Sequence, residues 1–185
     1  MPFSGSAWTA QFPNSTSVDN LVEPFRTGVR NFLAALKTAG ASVTVSSTLR
    51  PPQRAHLMHY SFLISSSGID PAVVPVYTDV DIQWVHLDAQ GKPDLAASRN
   101  AAREMVVGYE IVYAPALKSK HTLGQAIDMD IEWKNNLQIT DAHGNSVAIS
   151  TLPRTGGNLQ LQSVGASYGV IKLASDPPHW SIDGH

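Results

Sequence analysis

The stretch Ser119-Lys-His-Thr-Leu-Gly-Gln-Ala-Ile-Asp-Met-Asp-Ile-Glu-Trp133 decides how this chain is expected to fold. From Gln125 onward apolar and polar residues alternate, which predicts a strand with two unlike faces. The apolar face comprises Ile127, Met129, Ile131 and Trp133. The opposite face comprises Ala126, Asp128, Asp130 and Glu132. The first face can pack against a core, whereas neighbouring carboxylates on the second are costly unless water or a cation compensates them.

Two histidines can complete a metal site around this strand. His121 lies just before the strand, and Gly124 lets the backbone bend between them. Near the end of the sequence, Ser175-Asp-Pro-Pro-His-Trp180 holds His179 and a further carboxylate on a backbone that two prolines make rigid. Two His and one Asp, with a vacant fourth position for water, are typical of catalytic zinc. Periodicity alone leaves open whether Asp128 or Asp130 is the third ligand.

The two segments together resemble the paired signature of a known family. Ser119-x-His121-x-x-Gly124-x-Ala126-x-Asp128, followed by Asp176-x-x-His179-Trp180, is similar to the motifs of the zinc D-alanyl-D-alanine peptidases. That family includes D,D-carboxypeptidases, the D,D-dipeptidases of vancomycin resistance and phage L-alanyl-D-glutamate endolysins. The resemblance implies an α+β fold of the hedgehog and D,D-peptidase type. In that fold a small, mainly antiparallel sheet packs against helices, with a zinc cleft on its open face.

The resemblance also implies a role for each motif residue. His121, Asp128 and His179 would bind Zn²⁺, and the resemblance favours Asp128 over Asp130. Asp176 would be the catalytic base, taking a proton from the attacking water and passing it to the departing amine. Asp130 would then be a candidate for orienting one of the histidines.

Three further residues are expected to contact the substrate. Arg50, at a predicted strand-to-helix junction, matches by position the family arginine that binds the oxyanion or a substrate carboxylate. The usual Ser-x-Tyr-Arg context appears here as Ser47-Thr48-Leu49-Arg50. Ser119 is expected to position the loop or contact substrate, and Trp180 to form a wall near the metal.

The function that the motifs imply is zinc-dependent hydrolysis of an amide bond in the stem peptide of peptidoglycan. The Asp-x-Pro-His form of the second motif is most similar to the endolysin branch, which favours cleavage between L-alanine and D-glutamate. Two alternatives stay open: a D-alanyl-D-alanine carboxypeptidase, and an inactive zinc-bearing module that binds peptidoglycan or protein. A lytic amidase, which cuts between sugar and peptide, usually has a different His spacing.

Composition limits the remaining possibilities. The 185 residues contain no cysteine, so His and carboxylates must supply any metal ligands. A net charge of -2 gives no electrostatic reason to expect nucleic acid or an anionic membrane as a partner. The chain has neither a signal-peptide pattern nor a transmembrane stretch. We therefore expect a monomer made in the cytoplasm and delivered to the wall, as a phage lysin or a secreted effector would be.

The length predicts one domain, residues 1–185, and the Ser, Pro and Gly content of residues 1–16 predicts an N-terminal arm. The resemblance implies that 51–118 is a variable insertion between the motif segments that shapes the cleft. Helices are predicted from Ser17 to a C-cap at Gly40, over 53–63, over 95–110 with Asp94 as N-cap, and over 158–168. Strands are predicted at 41–48 and 170–173, and a hairpin at 137–150.

Overall fold

The computed structural model describes all 185 residues and has the predicted α+β architecture. The helices are α1 (Phe25–Thr38), α2 (Pro52–Phe62), α3 (Leu95–Gly108) and α4 (Leu159–Ser167). The strands are β1 (Ser42–Ser47), β2 (His86–Leu87), β3 (Pro93–Asp94), β4 (Ala126–Glu132), β5 (Leu137–Thr140), β6 (Ser146–Ile149), β7 (Ile171–Lys172) and β8 (His179–Ser181). Short 3-10 or π turns cover Ser6–Ala10, Val18–Asn20, Leu63–Ser67 and Pro71–Val73. None of the helices combines the length and apolar character that crossing a membrane requires.

The chain forms two compact units. The first contains Met1–Pro13 and Pro51–Lys118, and the second contains Asn14–Arg50 and Ser119–His185. The segment predicted as an insertion, 51–118, thus makes up most of the first unit. Residues 1–13, predicted as part of an arm, join that unit through backbone hydrogen bonds with Gln83. That the whole chain is a single peptidase domain stays a prediction. So does the role of 51–118 in shaping a cleft.

The first unit has a hydrophobic core of its own. Helices α2 and α3 contribute to it, and its buried residues are Leu57, Met58, Ile64, Val80, Ile82, Trp84, Ala102, Met105 and Tyr109. The predicted N-cap of α3 is confirmed, because the Asp94 side chain accepts a hydrogen bond from the N–H of Ala97 at 2.9 Å.

The second unit is built on a four-stranded antiparallel sheet in the order β1-β4-β8-β7, with β5 and β6 paired as the predicted hairpin. Apolar side chains of α1, α4 and the sheet share one core. Trp180 of β8 is fully buried there, with its ring centroid 5.6 Å from that of Phe32 in α1. This core fixes the sheet that carries the proposed zinc ligands.

Helix α1 begins later than its periodicity predicts. The expected start was Ser17, but Val18–Asn20 forms a separate turn and the helix starts at Phe25, after Pro24. Proline has no N–H to donate and disfavours helical backbone in the residue before it. The helix therefore cannot extend back through Pro24, although the apolar pattern does. The C-terminus agrees with the prediction, because Gly40 follows the helix with a φ of 85°.

Strand β4 has the predicted alternation and lies in the middle of the sheet. Its apolar residues are buried, and Asp128 pairs directly with His179 of β8 on one side and with Ser47 of β1 on the other. Strand β1 contains one extra residue, Ser46, between Val45 and Ser47. This bulge changes the face presented by β1, so Val45 packs on the core and Ser47 lies on the same side as Asp128.

Candidate metal centre

His121, Asp128 and His179 meet on the open side of the central sheet of the second unit. Asp128 and His179 are cross-strand partners in β4 and β8, and directly opposed side chains lie on one face of an antiparallel pair. His121 reaches the same place from the turn that precedes β4. Each of the three residues offers a ligand atom within 4.8 Å of the others.

The turn that carries His121 is held by local hydrogen bonds. The Ser119 hydroxyl accepts from the N–H of Thr122 at 3.3 Å, and the Thr122 hydroxyl donates to the Ser119 carbonyl at 2.9 Å. Gly124 has a φ of 66°, and a Cβ at that position would lie 3.0 Å from the carbonyl oxygen of Asn20. Glycine is therefore required here for both backbone conformation and space. These hydrogen bonds join Ser119 to the turn, and a substrate contact of Ser119 stays a prediction.

The three ligand atoms form a nearly equilateral triangle. His121 Nε2 lies 3.1 Å from Asp128 Oδ1 and 3.2 Å from His179 Nδ1, and His179 Nδ1 lies 3.0 Å from the same oxygen. Ligand atoms at ~2.0–2.1 Å from a tetrahedral zinc ion are roughly 3.3 Å apart. The spacing thus fits a small, tetrahedrally coordinated cation to within a few tenths of an ångström.

The outer nitrogens of both imidazoles face backbone carbonyls. His121 Nδ1 lies 2.8 Å from the Thr48 carbonyl oxygen, and His179 Nε2 lies 3.3 Å from that of His185. A carbonyl oxygen can only accept, so each outer nitrogen carries the hydrogen. In the neutral rings, the inner nitrogens then present lone pairs to each other and to the Asp128 carboxylate. Three converging acceptors repel one another unless a proton or a metal ion lies between them, and this is why the group can hold a metal ion when the imidazoles are neutral.

Burial and charge act together on the titration of this group. His121 and His179 are 5% and 8% exposed, while the Asp128 side chain keeps 20% of its surface accessible. Burial raises the pKa of Asp128, but hydrogen bonds and positive charge from His121 and His179, when these imidazoles are protonated at their inner nitrogens, outweigh burial and hold it well below its usual range. Burial lowers the pKa of His179, but the hydrogen bond and negative charge of Asp128 outweigh burial and raise it.

Asp130 does not join the triad. It lies two residues beyond Asp128 on the same face of β4, is exposed, and makes no hydrogen bond to either histidine. The partners that orient the imidazoles are the backbone carbonyls of Thr48 and His185. The structure thus brings Asp128 rather than Asp130 to the two imidazoles.

Asp176 and Arg50 are each joined to a triad residue by a backbone hydrogen bond. Asp176 is exposed, and its carbonyl accepts from the N–H of His179 at 3.1 Å, so both residues belong to one turn. Its negative charge also contributes to the raised pKa of His179. Arg50 is half-buried, and its backbone N–H donates to the His121 carbonyl at 3.1 Å. The catalytic roles predicted for these two side chains stay predictions.

Trp180 points away from the triad. It follows His179 in β8, so its side chain lies on the opposite face of the sheet, and it is 0% exposed in the core. A fully buried indole offers no surface to a substrate, and its contacts are those of a packing residue.

A cleft lies beside the second half of β4, between residues 129–132, residues 155–162 and the turn that precedes β8, and none of the three triad residues lines it. Its volume is about 480 Å³, within the range of roughly 300–1,000 Å³ usual for ligand pockets. Its lining includes Asp130 and Glu132 of β4, Thr155, and Lys172 and Pro177 on either side of Asp176. Ala174 and Pro177, which line the cleft, belong to the turn that carries Asp176.

Several residues that build the centre have no signature in the sequence. The Thr48 and His185 carbonyls are backbone groups, which any residue type supplies. Ser181 is fully buried, and its hydroxyl accepts from the N–H groups of Gly184 and His185, which folds the C-terminal residues toward His179. Lys120 forms an ion pair with Asp183 in the same segment. Only the Lys120–Asp183 charge complementarity is visible in the sequence, and many other pairs share it.

The effect of zinc on stability should depend on pH. The raised pKa of His179 stabilises the metal-free fold below about pH 6.5, and this stabilisation is lost as the pH rises through the raised value. The lowered pKa of Asp128 stabilises the fold above about pH 3.8, with loss only in stronger acid. Zinc needs neutral imidazoles and acts in the opposite direction. We expect the metal-free Tm to fall between pH 6 and 8, and zinc at 100 times its Kd to add about 2.7 kcal/mol at pH 8 but much less at pH 5.5.

Thermal unfolding with zinc or with EDTA at both pH values measures this. Equal stabilisation by zinc at pH 5.5 and pH 8 would show that the histidines are not ligands.

A comparison of the chain with protein-family models found no match, and a comparison with curated proteins found none either. The functional inference therefore rests on the geometry of the triad and on the motif residues themselves.

Proposed function

We propose that this protein is a zinc-dependent peptidase that hydrolyses an amide bond in the stem peptide of peptidoglycan, with the L-alanyl-D-glutamate bond as the favoured target. The convergence of three acceptor atoms, at 3.0 to 3.2 Å from one another, carries the proposal. These atoms belong to the residues that occupy the ligand positions of the zinc D-alanyl-D-alanine peptidase motif. The choice of substrate rests on that motif resemblance.

His121 Nε2, Asp128 Oδ1 and His179 Nδ1 are the atoms that would hold the ion. Bound zinc would supply a Lewis acid for the scissile carbonyl and lower the pKa of a coordinated water from ~15.7 toward ~7. The Thr48 and His185 carbonyls keep the imidazoles in the tautomers that metal binding needs. With two neutral imidazoles and one carboxylate as ligands, a bound Zn²⁺ would keep a net positive charge. That charge would stabilise the negative charge that develops on the carbonyl oxygen of the substrate.

Asp176 is the proposed proton acceptor and donor. This role is supported by the exposure of Asp176 and by the bond from the N–H of His179 to the Asp176 carbonyl, which keeps the two residues in one turn. Asp176 would take the proton of the attacking water and deliver it to the departing amine. Arg50, whose backbone bonds to His121, would bind the developing oxyanion or a substrate carboxylate through its planar guanidinium group.

Digestion of purified cell wall tests the proposal. The full-length protein, loaded with zinc, is incubated with purified peptidoglycan, and the released muropeptides are identified by mass spectrometry. New amino termini on D-glutamate are the expected result. Loss of a terminal D-alanine would identify the carboxypeptidase alternative instead.

Two controls separate catalysis from binding. Metal-free protein and the His121→Ala variant should release nothing. Zinc-loaded protein that binds the wall but leaves it intact would overturn the proposal and favour the inactive binding module.

A further inference from the structure

Lys172, the last residue of β7, points its ammonium group into the turn that leads to β8. Its Nζ donates hydrogen bonds to the carbonyl oxygens of Leu173 and Asp176, and to that of His179 at 3.1 Å. An ammonium group has three donors and no acceptor, so the three carbonyls use all of them. The same ammonium lies 5.7 Å from the centre of the Trp180 ring, which adds a cation–π contact.

The Lys172 ammonium adds a second donor to carbonyls that the backbone of the turn already bonds. Pro177 and Pro178 lie in its middle, and proline has no N–H. Three backbone bonds close the turn: Asp176 N–H to the Leu173 carbonyl at 3.3 Å, His179 N–H to the Asp176 carbonyl at 3.1 Å, and Leu173 N–H to the His179 carbonyl at 3.1 Å. The Lys172 ammonium ties the beginning, middle and end of this segment to one point.

Two of the three carbonyls belong to residues of the proposed active site. His179 supplies a ligand nitrogen, and Asp176 is the proposed base. A carbonyl fixed by a strong, charge-assisted hydrogen bond fixes the adjoining Cα, and hence the origin of the side chain. A displacement of His179 by one ångström would disrupt distances of 3.0 and 3.2 Å to its two partners.

We propose that Lys172 is a positioning residue of the metal centre, whose three-donor ammonium group holds the Asp176–His179 turn in the geometry that binds the ion. The consequence for Asp176 rests on the proposed function, whereas the consequence for His179 concerns metal binding alone. The competing explanation is that Lys172 contributes only a positive charge near Asp128 and Asp176. Geometry separates the two explanations, because arginine keeps the charge but spreads its donors over a planar fork and cannot aim three of them from one atom.

Zinc affinity of the full-length protein, measured by competition with a chelator, tests the proposal. We compare Lys172→Met, Lys172→Arg and, as a matched control, Lys134→Met, which removes an exposed lysine of the same unit. Loss of groups that orient metal ligands usually weakens metal binding by about 10–100-fold. We expect a loss of that size for both Lys172 variants and no change for Lys134→Met. An Arg variant with wild-type affinity would show that only charge matters, and a folded Met variant with wild-type affinity would overturn the proposal outright.

Chemical rescue provides a second measurement that does not depend on the Met variant folding well. In Lys172→Ala, added n-propylammonium should restore part of the zinc affinity, because it returns three donors to the vacated space. n-Propanol, which has the same number of non-hydrogen atoms but one donor and no charge, should not. Equal effects of the two additives would contradict the role of the ammonium donors.

Zinc affinity also keeps this inference separate from the proposed function. If the wild-type protein binds zinc but leaves peptidoglycan intact, the proposed function fails and the Lys172 comparison still decides its own question. If peptidoglycan is cut and the Lys172 variants bind zinc normally, only the Lys172 inference fails.

Discussion

Asp128→Ala should abolish high-affinity zinc binding, whereas Asp130→Ala should leave it unchanged. Both carboxylates lie on the same face of β4, two residues apart, so the variants are closely matched in position and charge. Only Asp128 is within 3.1 Å of both inner imidazole nitrogens, and Asp130 contacts neither. Loss of a direct ligand should therefore exceed the roughly 10–100-fold loss of affinity that follows removal of an outer partner.

Isothermal titration of each variant with zinc, after removal of metal by a chelator, measures the difference. Circular dichroism of the metal-free proteins shows whether both variants keep their fold. His121→Ala should behave as Asp128→Ala does. Equal zinc affinities of the two aspartate variants would mean that the triad is a hydrogen-bonded cluster and not a metal site.

Asp176→Asn should remove peptide hydrolysis while zinc binding persists. The substitution keeps the size of the side chain but removes the charge that accepts a proton. General acid–base groups contribute typically ~10²–10⁴-fold to rate, so kcat should fall by about that factor with little change in KM. The metal should remain bound because Asp176 is not one of the three residues that could hold it.

The test follows muropeptide release by the zinc-loaded protein under single-turnover conditions, with bound zinc measured in the same samples. Asp19→Asn, which removes the charge of another exposed aspartate of the same unit, is the control and should keep full activity. Undiminished turnover in Asp176→Asn would assign the proton transfer to a different group. If zinc is lost as well, Asp176 acts by supporting the His179 turn.

The secondary structure could be predicted closely because its signals are local. Alternation in β4, an Asp N-cap for α3 and a glycine after α1 each depend on a few neighbouring residues. The start of α1 was predicted wrongly, because the apolar period continues through the Pro24 break. Periodicity indicates which side chains can be buried, but the backbone constraint of proline decides where the helix can start.

The choice between Asp128 and Asp130 could not be made from local pattern. A period of two places both side chains on one face, and only the pairing of β4 with β8 decides which one meets His179. That pairing joins segments far apart in the chain. The carbonyl partners of the histidines, and the ammonium of Lys172 in its turn, depend on the same long-range packing.

The extra residue in β1 has a consequence for how this segment can vary. The extra residue Ser46 determines which way each following residue faces as far as Arg50. This includes Thr48, whose carbonyl orients His121. The Ser46 side chain is exposed, and its one hydrogen bond, to the Asp128 carbonyl, is 3.3 Å long. Position 46 should thus accept many amino acids but neither a deletion nor an insertion. The number of residues here, rather than their identity, keeps the Thr48 carbonyl in place to orient His121.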